Sequence, residues 1–96
     1  MIEITDVQII FPHDLDASNK KLKCFANIIF NDIFIVRNLR VIEGDKKFFV
    51  VMPSFRKRDG SFQDIAHPIT NKFRQTIDDS VLESYENALK KRNKLT

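Results

Sequence analysis

Two stretches of this chain are bulky on both sides at once. In IFIV (33–36) and FFVV (48–51), Phe34, Val36, Phe48 and Val50 alternate with Ile33, Ile35, Phe49 and Val51. Successive side chains of a strand point to opposite faces, so a sheet containing these strands is apolar on both and needs cover on both. The chain offers one amphipathic helix as cover. Beyond Pro68, Phe73, Ile77, Val81 and Tyr85, with Ala88 and Leu89, recur at helical spacing and form one stripe. That helix can cover one face. The other is expected to meet a partner subunit, or the sheet must curl.

The remaining strands follow from the same alternation. Residues 2–11 are β-prone but change phase, Ile2 and Ile4 on one face and Val7, Ile9 and Phe11 on the other, which predicts a bulge near Thr5 and Asp6. Over 21–30, Leu22, Cys24, Ala26, Ile28 and Phe30 share a face opposite Lys21, Lys23 and Asn27. Asn31-Asp32 and Glu43 to Asp45 supply tight turns, so residues 2–52 read as a four-stranded antiparallel meander. The polar segment 12–20 reads as a loop. Pro53 closes the fourth strand, Asp59-Gly60 turns a basic hairpin or connector over 53–69, and Pro68 ends a short extended segment. A helix over about 71–92 begins there, capped by Thr70 or Asn71, with Lys90, Lys91, Arg92 and Lys94 at its end. The fold class is α+β: a single domain over 1–96, with an antiparallel sheet of four to five strands followed by a C-terminal helix.

Ninety-six residues, 43% of them hydrophobic, make a folded chain with a small core, and pairing into a homodimer would add to its burial. Cys24 is the one cysteine and lies in an apolar run, so it reads as a small buried hydrophobe, and a cytoplasmic setting fits. No signal peptide is read at the N-terminus, and the apolar runs are too short for membrane insertion.

Catalytic signals are few. Asp64 and His67 stand three apart in an extended segment, which sends their side chains to opposite faces, and His13 lies in the 12–20 loop. With no metal-ligand spacing, phosphate cradle or cysteine pair, no enzyme, cofactor or small-molecule substrate is expected. His67 reads as packed framework with its nitrogens bonded to backbone. Charge is more telling. The formal charge is only +3, but residues 55–74 hold five cations, Arg56, Lys57, Arg58, Lys72 and Arg74, against Asp59 and Asp64. A turn and a helix start carrying such an excess suit phosphate contact, whereas the acidic middle of the helix does not suit a duplex groove. A charged hairpin tip that is merely solvated is the simpler alternative. Phe55 and Phe62 beside the tip either stack on unpaired bases or pack the hairpin. Arg37 and Arg40, within a strand, either pair inside with Asp6 or Asp64 or point outward and extend the positive surface.

Five motifs resemble the stage V sporulation protein G (SpoVG) family: I-T-D-V (4–7), N-L-R-V-I-E-G (38–44), F-V-V-M-P-S (49–54), D-G-S-F-Q-D-I-A-H-P-I (59–69) and R-x-x-I-x-x-x-V-L-x-x-Y (74–85). The resemblance implies a small bacterial cytosolic homodimer with an antiparallel sheet and a C-terminal helical part. It also implies a regulator named from septation and sporulation that binds DNA site-specifically and also RNA, through its sheet-to-helix region. Carried onto this chain, the contacts are Arg56, Lys57, Arg58, Lys72 and Arg74, with Arg74 and the basic character of the tip matching recurrent family positions. The chain departs from the family at Lys47, where a glycine is frequent, and at Phe55, where a basic residue is. A protein-interaction module in cell division, docking through the exposed sheet face without a nucleic-acid role, is the alternative reading.

Overall fold

The computed structural model describes residues 1–12 and 21–94, so the loop expected over 12–20, His13 included, lies outside the described residues apart from Pro12. Strands β1 (Ile4–Ile10), β2 (Leu22–Phe30), β3 (Phe34–Glu43) and β4 (Phe48–Val51) form one antiparallel sheet in sequence order. β5 (Ser54–Arg56) and β6 (Phe62–Asp64) pair separately as a two-stranded hairpin, and α1 (Asn71–Lys94) follows. The α+β meander and the C-terminal helix are those read from the sequence.

The turn between β2 and β3 shows why consecutive strands pair. Asn31 and Asp32 both adopt left-handed backbone, φ 52° and 59°, and Ile33 N–H closes on the Phe30 carbonyl at 3.0 Å. Asn and Asp tolerate that region better than branched residues do. Asn31 also ties down the N-terminus: its Oδ1 accepts from Glu3 N–H at 2.8 Å and its Nδ2 donates to the Met1 carbonyl at 3.2 Å.

The register slips at three places. Near the start of β2, Leu22 and Cys24 pair with the adjacent residues Ile42 and Val41, so Leu22 leaves the face that alternation gives it. The other two are bulges that set which side chains face inward. In β1 the register slips between Ile4 and Asp6, as the phase change requires, and this brings Ile4 and Val7 onto the same core. The second bulge lies outside what the alternation predicts. Ala26 pairs with Leu39 but Ile28 with Val36, so β3 carries an extra residue at Arg37–Asn38. Asn38 takes φ 69° there, and its N–H is received by Asn27 Oδ1 at 3.2 Å. The insertion brings Val36, Leu39 and Val41 onto the core side although Val36 and Leu39 differ in parity.

α1 packs on the inner face, against β1, β2 and β4. Ile77, Val81 and Tyr85 meet Cys24, Ala26, Ile28, Leu39, Val41 and Val50, all essentially without solvent contact. Each buried aliphatic side chain of this kind contributes about 1.5–3 kcal/mol. Tyr85 stands edge-on to Phe48 with ring centroids 5.8 Å apart and lies 6.3 Å from Phe11, whose ring also takes the Arg92 guanidinium at 4.6 Å. The opposite face of the sheet has no such layer over it among the described residues.

Candidate nucleic-acid interface

The five cations that stand out in the sequence fall into two groups. Arg56, Lys57 and Arg58 are exposed at the end of the β5–β6 hairpin. The turn beneath them is braced by its own hydrogen bonds: Lys57 N–H to the Ser61 carbonyl at 2.7 Å, Gly60 N–H to the Lys57 carbonyl at 3.0 Å, and Ser61 N–H and Oγ–H to Asp59 Oδ1 at 2.9 and 2.6 Å. Gly60 sits at φ 90°, a region closed to ordinary L residues, which explains the D-G pair. Donation from the Ser61 hydroxyl, and then from its N–H, holds the Asp59 carboxyl below the usual carboxylate range, so it stays ionised beside the three cations. At its base the hairpin is joined by Ile65 N–H to the Pro53 carbonyl at 2.7 Å.

Lys72 is exposed in the first turn of α1. Thr70 caps that turn, its Oγ1 accepting from Phe73 N–H at 3.2 Å. Arg74 behaves differently. It points back to the sheet, where Nη2 donates to the Val50 carbonyl, and its Nε lies 3.2 Å from Asp78 Oδ1 one turn along the helix. It is about one-third exposed and pins the helix start to β4. No hydrogen bond or ion pair among the described residues joins the hairpin tip to the helix.

His67 is exposed, with Nδ1 bonded to the Pro68 carbonyl at 2.9 Å; of the framework role expected for it, the backbone bond is present and the packing is not. The same segment borders an apolar groove of about 360 Å³, floored by Phe30, Met52, Phe73 and Ile77. A neighbouring recess of about 230 Å³ continues it to Ile33 in the β2–β3 turn and Phe34 at the start of β3. Spacing along the chain gives no sign of this groove, because its walls come from Phe30 of β2, Val36 of β3, Met52 just beyond β4, the 66–70 segment and α1. Ser61 is also missed by a reading that follows charge, although D-G-S is the signal for a serine folding back on the turn's aspartate. Phe55 and Phe62 are both exposed, at 47% and 68%.

Arg37 and Arg40 point outward. Arg40 lies between Leu39 and Val41, both fully buried on the helix side, and so stands on the uncovered face; Arg37 is exposed beside the bulge. Neither pairs with Asp6 or Asp64; the ion pairs among the described residues are Lys23–Glu43 at 3.3 Å and Arg74–Asp78. No helix among the described residues is long and apolar enough to cross a membrane.

The family model for SpoVG matches residues 2–87. A relative from Anaeromyxobacter sp. (strain Fw109-5) is 39% identical over 90 residues, covering 94% of this chain and 88% of the relative. One from Clostridioides difficile (strain 630) is 41% identical over 88 residues, 92% and 91% of the two chains. One from Archaeoglobus fulgidus is 42% identical over 86 residues, 90% and 96%. All three carry the name "Putative septation protein SpoVG". With a match running from β1 through most of α1 and relatives of this identity over nearly their whole length, the chain belongs to the SpoVG family.

Proposed function

We propose that this chain acts as a cytoplasmic homodimer that binds nucleic acid, DNA and also RNA, at specific sites, as a regulator linked to septation-type processes. The observation that carries the reading is the hairpin tip: Arg56, Lys57 and Arg58 are exposed on a turn held by its own hydrogen bonds and have no carboxylate partner in an ion pair among the described residues. A turn so braced loses little backbone freedom on meeting phosphates, and the counterions its cations displace drive binding. Lys72 supports the same reading, since a cation in the first turn opposes the helix dipole and a bound phosphate would relieve that. Arg74 enters as the residue that fixes the helix start, through Val50 and Asp78. The names of the relatives supply the link to septation. A homodimer is supported by the apolar groove and by Ile33, Phe34 and Ile69 beside it, which are 85%, 64% and 90% exposed.

A gel-shift titration over several salt concentrations tests the interface. Arg56, Lys57, Arg58 and Lys72 together give a slope of log K against log salt of about −3.6 per site on duplex DNA. Replacing Arg56, Lys57 and Arg58 by Ala reduces the slope to about −1 while the circular-dichroism melt is unchanged, because solvated tip charges contribute little stability. An unchanged slope in the folded triple variant sinks the assignment.

A further inference from the structure

The helix covers one face of the sheet, and the other is both apolar and cationic. Strand register places Ile10, Phe25, Arg40 and Val51 side by side in one row across all four strands of that face. Phe49 and Ile35 extend the apolar surface to either side and, with Ile10, remain 44%, 36% and 49% exposed. Arg40 thus stands half-buried among apolar neighbours with no ion-pair partner among the described residues, and Arg37 lies two residues from Ile35 on the same strand, exposed and also without one.

These charges decide what can lie there. A layer that excluded water from this face without supplying carboxylates would strand the guanidiniums, at a cost of several kcal/mol each. A second copy is a poor occupant. The strands place one carboxylate on this face, Asp6, so pairing two copies would set four guanidiniums against two carboxylates. Nucleic acid has the anions but not the right body: the surface is mostly branched aliphatic, and its two phenylalanines, Phe25 and Phe49, are separated by β3, which leaves no run of rings for successive bases. Size is informative too. Four strands span about 14 Å across, which accommodates one helix of about 10–12 Å diameter.

We propose that the uncovered sheet face docks an amphipathic helix of a protein partner whose apolar stripe is flanked by Asp or Glu, the stripe lying on Phe25, Phe49 and Ile35 and the carboxylates meeting Arg37 and Arg40. This surface is separate from the hairpin tip and does not depend on nucleic-acid binding there.

The test uses the whole chain and a fluorescent synthetic peptide of about five helical turns, with a leucine stripe flanked by glutamates, compared with a lysine-flanked twin and a scrambled one. By anisotropy the glutamate peptide binds and the other two do not. Phe49→Ala weakens binding about tenfold. Arg37→Glu, at an exposed position and with folding checked by its circular-dichroism melt, weakens the glutamate peptide about tenfold and strengthens the lysine twin; Arg37→Glu with Arg40→Glu does so further. The tip variant with Arg56, Lys57 and Arg58 changed to Ala binds the peptide as the parent does. Failure of the glutamate peptide to bind overturns the proposal, as does equal binding of the lysine twin. Two further results would overturn it by naming another occupant: a single-stranded oligonucleotide that loses affinity in Phe49→Ala, or a sedimenting dimer that becomes monomer in Phe49→Glu.

Discussion

Asn27 is 4% exposed in the middle of β2, and both ends of its amide are engaged: Nδ2 donates to Gln8 Oε1 at 3.2 Å on β1, and Oδ1 receives Asn38 N–H on β3. One side chain therefore locks the bulge that aligns three strands. Asn27→Leu removes both bonds and is expected to destabilise the fold by about 1–3 kcal/mol, read as a lower urea midpoint at unchanged m-value. At Asn38 the backbone itself is the test: Asn38→Ala costs about 1–2 kcal/mol, because a Cβ without a compensating amide disfavours φ 69°, whereas Asn38→Gly is close to neutral. Cys24 behaves as its apolar setting in the sequence implies. Burial pushes its thiol up to about 12 from an ordinary value of about 8.5–9. In that interval the unfolded chain loses a proton that the native chain keeps, so the stability from the neutral thiol is complete below the unfolded value and falls as pH rises. The slope approaches about 1.4 kcal/mol per pH unit, with Tyr85, also raised by burial, adding in the same direction above its own ordinary value. Melts across about pH 8 to 10 check this, and Cys24→Ala should flatten the fall.

At the scale of elements, the start of α1 sets stability against the proposed binding. Its first turn contains no acid and carries Lys72 against the dipole. Lys72→Glu is expected to stabilise the helix by about 0.5–1 kcal/mol in thermal melts while weakening nucleic-acid affinity, and a variant that gained both would remove Lys72 from the interface. Arg74→Met removes the tie to Val50 and Asp78 together and is expected to cost about 1–3 kcal/mol in urea unfolding. The existence, length and inner stripe of α1 are legible from Phe73, Ile77, Val81 and Tyr85, because apolar residues recurring at one spacing write a helix into the sequence. Arg74's inward turn is not legible: its acceptor is a backbone carbonyl in β4, and carbonyls leave no trace in residue identity. The β1 bulge can be read as a phase change, since Ile4 and Val7 break alternation visibly. The β3 bulge is written the same way in Val36 and Leu39, but the bulky residues on both sides of that strand mask the break.

For the molecule as a whole, the two-sided strands correctly announce more apolar surface than one helix can cover. What alternation cannot separate is the flat cationic face from the grooved end near Ile33 and Phe34, because that division depends on where three elements converge. If copies pair through the grooved end, Phe34→Glu should yield monomers in sedimentation velocity while Phe49→Glu remains paired; the reverse result would move the contact to the sheet. Order along the chain adds a final consequence. The meander joins neighbours in sequence, so its strands can pair as they leave the ribosome, N-terminal strands first, at about 5–20 residues per second. The helix comes after all six strands. For the seconds before it emerges the nascent sheet is bare on both sides, so a stalled or truncated product ending near Thr70 should be a chaperone client, and codons that slow translation just ahead of the helix should raise aggregation.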